Sequence, residues 1–97
     1  MKHCIIVKWN ETVTDKAKIL DGVHEVFAGS TETNGVKGVE IIPNIIDRPN
    51  RYDVMIVVSM DKDALTAWDD SDTHKRWKAE YGDRIASKAI FDAEELR

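Results

Sequence analysis

Histidine and the aromatic residues with polar handles are the groups in this chain whose types and spacing could do chemistry. The histidines are few: His3, His24 and His74. Imidazoles titrate close to neutrality, so two of them facing one pocket could serve as base and acid on an enolisable or carbonyl substrate. His3 falls in the run Lys2-His3-Cys4-Ile5-Ile6-Val7-Lys8-Trp9, which reads as a β-strand. Strand side chains alternate, so His3, Ile5, Val7 and Trp9 share one face and Cys4, Ile6 and Lys8 the other. An imidazole among core-type neighbours is either a structural residue bonded to backbone or part of a site. His74, Trp77 and Tyr81 sit at i, i+3 and i+7 of a helical segment, hence on one helix face. If that helix packs on the His3 face of the sheet, His3 and His74 are the candidate catalytic pair; otherwise His74 is a helix-surface residue.

Trp9, Trp68, Trp77 and Tyr81 would suit a flat apolar ligand, or they fill the space between helices and sheet. Tyr52, opening a later strand, could place its hydroxyl at the pocket mouth or cover the sheet edge. His24 lies beside the apolar face of the first helix and is expected to be exposed. Other chemistry is disfavoured. Cys4 points away from His3, which argues against a Cys-His nucleophile. Asp61, Asp63, Asp69, Asp70 and Asp72 fall at helix starts and breaks, where they act as caps and dipole complements rather than as a cation site. The histidines lack transition-metal spacing, and phosphate-cradling and nucleophile-elbow motifs are absent. Neither a metal nor a cofactor is expected.

The elements that must position these residues follow from the pattern. At 97 residues the chain is read as one domain, 1–97, small enough that oligomerisation would add useful burial. A net charge of −4 disfavours a nucleic-acid partner. The basic cluster Lys75-Arg76-Trp77-Lys78 is read as the solvated side of a helix. The single cysteine fits a reducing cytoplasm. No secretory signal is read, and no run approaches the ~20 apolar residues of a membrane helix.

Thr14 is the expected N-cap of a helix from Asp15 to about Ala28, with Ala17, Ile19, Leu20, Val23, Val26 and Phe27 on its buried stripe. Asn34-Gly35 is turn chemistry. A second strand is expected from Val36 to Ile42 or Ile46, with Gly38 marking a bulge or a close approach. Tyr52–Met60 is a third strand, apolar on both faces. Asp61 is expected to cap a short helix, Asp69-Asp70-Ser71-Asp72 to break it and start another, and Ser87–Ala93 to form the last strand. The order β-α-β-β-α-β predicts a ferredoxin-like α+β fold. Its uncovered sheet face predicts a sheet-on-sheet homodimer, with Cys4, Ile6, Lys8, Asp53, Met55 and Val57 towards the partner.

Three pieces of sequence resemble the stress-responsive α/β-barrel domain (Dabb) family: Lys2-His3 leading to Val7-Lys8-Trp9; Asn50-Arg51-Tyr52-Asp53 entering the strand Val54–Met60; and Ala64-Leu65-Thr66-Ala67-Trp68 with His74 six residues on. The resemblance implies a dimeric ferredoxin-like barrel. One member of that family, a plant polyketide cyclase, uses a first-strand histidine, a helix tyrosine and a second histidine six residues after it. His3 and His74 match the two histidines, while Trp68 stands at the tyrosine and Ser71-Asp72 where a His-Pro pair is common. An indole N–H donates a hydrogen bond but has no phenolic acid–base chemistry. The implied function is binding, or binding and transforming, a small apolar or aromatic carbonyl compound at His3, His74, Tyr52, Trp9, Trp68, Trp77 and Tyr81. The alternatives are a non-enzymatic stress-associated oligomer and a cofactor-independent or haem-handling monooxygenase of a related barrel family.

Overall fold

Alternation in the first strand is met by partners on both of its edges. In the structure, a computed structural model that describes residues 1–94, β1 (Lys2–Trp9) pairs antiparallel with β3 (Val54–Met60) and with β4 (Ile85–Ala93). β2 (Val36–Pro43) lies outside β3, giving the sheet order β2-β3-β1-β4. Helices α1 (Lys16–Phe27), α2 (Leu65–Asp69) and α3 (Asp72–Tyr81) supply the second layer. This is the expected ferredoxin-like α+β fold, with the second helical region divided into α2 and α3.

The register assigns each face. Ile5 opposes Ile56, and Val7 opposes Val54. Together with Trp9, Val58 and Met60 these residues form one buried cluster with Ile19, Val23, Val26 and Phe27 of α1 and with Trp68, Trp77 and Tyr81. The other face carries Cys4 opposite Val57 and Phe91, and Ile6 opposite Met55 and Ala89. Among the described residues no helix covers it: Phe91 is 63% exposed there, and Ile42 of β2 is 42% exposed.

Several local expectations hold. Ser71 caps α3, its hydroxyl accepting from the His74 N–H, and His24 is exposed. Gly35 adopts φ +89°, a conformation that favours glycine. The register slips between Val36 and Gly38, so the glycine marks a bulge; a Cβ there would meet nothing, which removes the close-approach alternative.

Other expectations are corrected. Asp15, not Thr14, caps α1, because its carboxylate reaches the Lys18 N–H at 3.0 Å. The Asp61 carboxylate accepts no capping hydrogen bond and instead pairs with Lys37 at 3.0 Å. β4 begins at Ile85, two residues before Ser87, because a bulge at Lys8/Trp9 lets Trp9 reach Ile85. β3 begins at Val54, two residues after Tyr52. The Asp53 backbone still bonds to Val7 and Asn44, but its carboxylate accepts from the Trp9 N–H at 2.7 Å and pairs with Lys16 of α1 at 2.9 Å. Of the residues expected towards a partner, Asp53 therefore belongs to the helix–sheet seam, where its charge is satisfied within the chain.

α1 and α3 meet closely at Gly22. A Cβ on Gly22 would lie 2.1 Å from the Tyr81 hydroxyl. Gly22→Ala gains helix propensity of about 1 kcal/mol but must displace a ring held by its neighbours, and overpacking of this kind costs about 1–3 kcal/mol. The expected net result is destabilisation, read as a lower urea midpoint with an unchanged slope.

Candidate functional site

His3 is placed by β1 on the helix-facing side of the sheet and is 6% exposed. Its antiparallel partner on β4 is Asp92. Directly opposed residues share a face, so the carboxylate meets the ring: Asp92 Oδ1 lies 2.5 Å from His3 Nδ1. A carboxylate oxygen accepts, so Nδ1 carries a hydrogen, and in the neutral ring Nε2 then presents its lone pair. The Asp92 side chain is 40% exposed, which opens this end of the sheet to solvent.

Asp92 is the functional candidate that sequence reasoning missed. It lies in the strand expected at Ser87–Ala93, and pairing the first strand antiparallel with the last would have brought it to His3.

His74 occupies the first turn of α3, half-buried. Its Nδ1 donates to the Asp69 carbonyl at 2.9 Å, so in the neutral ring Nε2 is the acceptor here too. The ring lies against Trp68, centroids 5.9 Å apart. Among the described residues no hydrogen bond or ring contact joins His3 to His74.

The aromatic residues expected as a lining pack against one another. Trp77 meets Trp9 at 6.2 Å, Phe27 at 5.2 Å and Tyr81 at 5.3 Å, and Phe27 stacks on Trp68 at 6.0 Å. All are buried, Trp68 completely. The Trp68 Nε1–H is buried and has no hydrogen-bond partner among the described residues. An orphaned donor costs about 1–3 kcal/mol, which the surrounding apolar contacts must offset. Burial, then Glu80, pushes the Tyr81 phenol above its ordinary value.

Tyr52 stands elsewhere. Its hydroxyl lies 3.1 Å from that of Ser87, which opposes Lys8 on the uncovered face. It closes over the sheet edge at the far end of β1 from His3. Cys4, on that same uncovered face, has its thiol pushed up chiefly by burial and then by Asp92. Among the described residues no three His, Cys, Asp or Glu side chains group as metal ligands, and no helix is long and apolar enough to cross a membrane.

No protein-family model matches the chain, and no curated protein matches it. Solved structures do. A dimeric ferredoxin-like protein of unknown function from Thermobifida fusca is 20% identical, with TM-score 0.75 over 93% of this chain and 85% of that one. A Dabb family protein with a ferredoxin-like fold from Mesorhizobium loti is 15% identical, with TM-score 0.73 over 99% and 96%. A Bordetella bronchiseptica protein named as a candidate antibiotic biosynthesis monooxygenase is 16% identical, with TM-score 0.75 over 99% and 96%. The sheet order, the helix layer and these likenesses converge on one conclusion: the chain has the ferredoxin-like α+β fold found in a Dabb family protein.

Proposed function

We propose that the chain is a cytoplasmic homodimer that binds a small apolar or aromatic carbonyl compound at the His3 end of the sheet and moves a proton on it. The observation that carries this reading is the His3–Asp92 pair. A structural histidine is satisfied by any nearby acceptor. Here a carboxylate 89 residues away holds the ring through Nδ1, so Nε2 is the nitrogen that serves as the base in the neutral ring. In the reaction Nε2 takes a proton from carbon adjacent to the carbonyl, the bonding pair moves into an enolate, and the imidazolium returns the proton. Asp92 holds the tautomer and faces the positive charge as it forms. His74, whose Nε2 is also an acceptor, is the second candidate group. Trp9, Trp68, Trp77 and Tyr81 support the site as packed core, and Tyr52 belongs to the dimer-facing side.

The homodimer is supported by the apolar uncovered face and by the dimeric Thermobifida fusca protein of the same fold. The completely buried Trp68 and nearly buried Trp77, which fill the interior, favour a second reading: a non-enzymatic oligomer. Deuterium exchange into phenylacetone, followed by proton NMR, separates the two. The wild-type protein should accelerate exchange, and His3→Ala should remove that acceleration, a loss of about 10²–10⁴-fold for a general base. A wild-type rate equal to that of buffer, or His3→Ala exchanging as fast as wild type, would overturn the proposal. His3→Gln keeps the site filled if alanine unfolds the chain.

A further inference from the structure

At the opposite end of β1 from His3, a cleft of about 790 Å³ opens between the start of α1 and the connection from β2 to β3. That volume is within the range of roughly 300–1,000 Å³ typical of small-molecule sites. From His3 to Trp9 is six strand residues, or about 20 Å, so the cleft is independent of the site proposed above.

Polar bonds build the outer wall of the cleft. Lys8 Nζ donates to the Pro49 carbonyl at 2.9 Å and to the Arg51 carbonyl at 3.2 Å. The Asn44 side chain donates to the Ile46 carbonyl at 2.6 Å and accepts from the Ile46 N–H at 3.2 Å. The Arg51 N–H closes a turn on the Arg48 carbonyl at 3.1 Å. A loop usually fixes itself by burying its apolar side chains, yet Ile45 is 88% and Ile46 45% exposed at this wall. Trp9, Ala17 and Leu20 line the facing side.

The charge is uneven as well. Four cationic side chains (Lys8, Lys16, Arg48 and Arg51) line the cleft against two carboxylates, Asp47 and Asp53, a surplus of two positive charges in a chain of net charge −4. Lys16 and Asp53 neutralise each other at 2.9 Å. Arg51 commits one N–H to Asn50 at 2.7 Å and keeps the rest of its fork. Apolar walls beside surplus guanidinium groups match a ligand with an anionic head and an apolar tail.

We infer that this cleft binds an amphipathic carboxylate, the head on Arg48 and Arg51 and the tail against Ile45, Ile46 and Leu20. Decanoate, titrated below its aggregation concentration into the full-length protein and followed by nitrogen–proton NMR, tests it. The expected shifts fall on the Trp9 indole and the Leu20 and Ile45 amides. Decanol should bind at least about tenfold more weakly, as should decanoate to the variant with Arg48→Glu and Arg51→Glu. If that variant does not fold, Ile45→Ser is the second test and should also weaken decanoate. Equal affinity for decanol, unchanged affinity in either variant, or shifts centred on His3 or Phe91 would overturn the inference. So would Ile45→Ser altering the oligomeric state instead of decanoate affinity, because a second copy would then occupy the cleft.

Discussion

Phe91→Asp is expected to yield a folded monomer. Phe91 sits on β4 opposite Cys4, on the face no helix covers, and is 63% exposed in the single chain. The lone subunit therefore loses little packing on substitution. In a sheet-on-sheet dimer the same side chain is buried, and two-fold symmetry counts every substitution twice. Losing a buried phenylalanine costs about 2 kcal/mol, so the pair costs about 4 kcal/mol before any charge is considered. That alone weakens dimerisation by roughly 10³-fold. Two aspartates in an apolar interface add a desolvation cost with no partner. Light scattering after gel filtration should show a dimer for wild type and a monomer for the variant, with unchanged circular dichroism. A variant that remains dimeric at micromolar concentration would place the interface elsewhere.

Trp77→Ala is expected to have the largest effect on stability. Trp77 is 1% exposed and touches Trp9, Phe27 and Tyr81, so it joins β1, α1 and α3 at one point. Large-to-small changes at such positions cost about 3–5 kcal/mol, against about 5–15 kcal/mol for a whole domain. At roughly 4–8 °C per kcal/mol for a domain of this size, thermal unfolding should fall by well over 10 °C. The salt bridges around the same helices offer no comparable reserve. Arg76 reaches Glu80 at 2.7 Å and Glu25 at 3.5 Å, but all three are exposed, and such pairs contribute about 0–1 kcal/mol. Chemical denaturation of Trp77→Ala beside Arg76→Ala should separate the two by more than about 2 kcal/mol. Similar midpoints would mean the aromatic cluster is less cooperative than its contacts imply.

The fold was legible because its signals are local. Alternation in Lys2–Trp9 assigned His3, Ile5, Val7 and Trp9 to one face, and the register confirms that assignment. The 3–4 spacing of Ile19, Val23, Val26 and Phe27 gave α1 its buried stripe. Ends were less legible. Thr14 and Asp15 are both good caps, and which one serves depends on where the chain leaves β1. Tyr52 and Asp53 extend a β-like run, and the Asp53 backbone still bonds to Val7 and Asn44, but its carboxylate is taken by the Trp9 N–H and Lys16, partners 44 and 37 positions back in the chain.

The candidate site divides along the same line. The sequence alone determined that His3 is on the core side of a strand, that His74, Trp77 and Tyr81 share a helix face, and that the β-α-β-β-α-β order leaves one sheet face uncovered. Backbone periodicity fixes side-chain direction without reference to the rest of the chain. Only the tertiary structure decided that Asp92 closes on His3, that the aromatic residues pack on each other, and that Tyr52 lies at the other end of the sheet. Each of those is a choice among partners far apart in sequence, settled by strand register and by how the helices fill the space above the sheet. No local pattern encodes such a choice, because the free energy that makes it belongs to the assembled core.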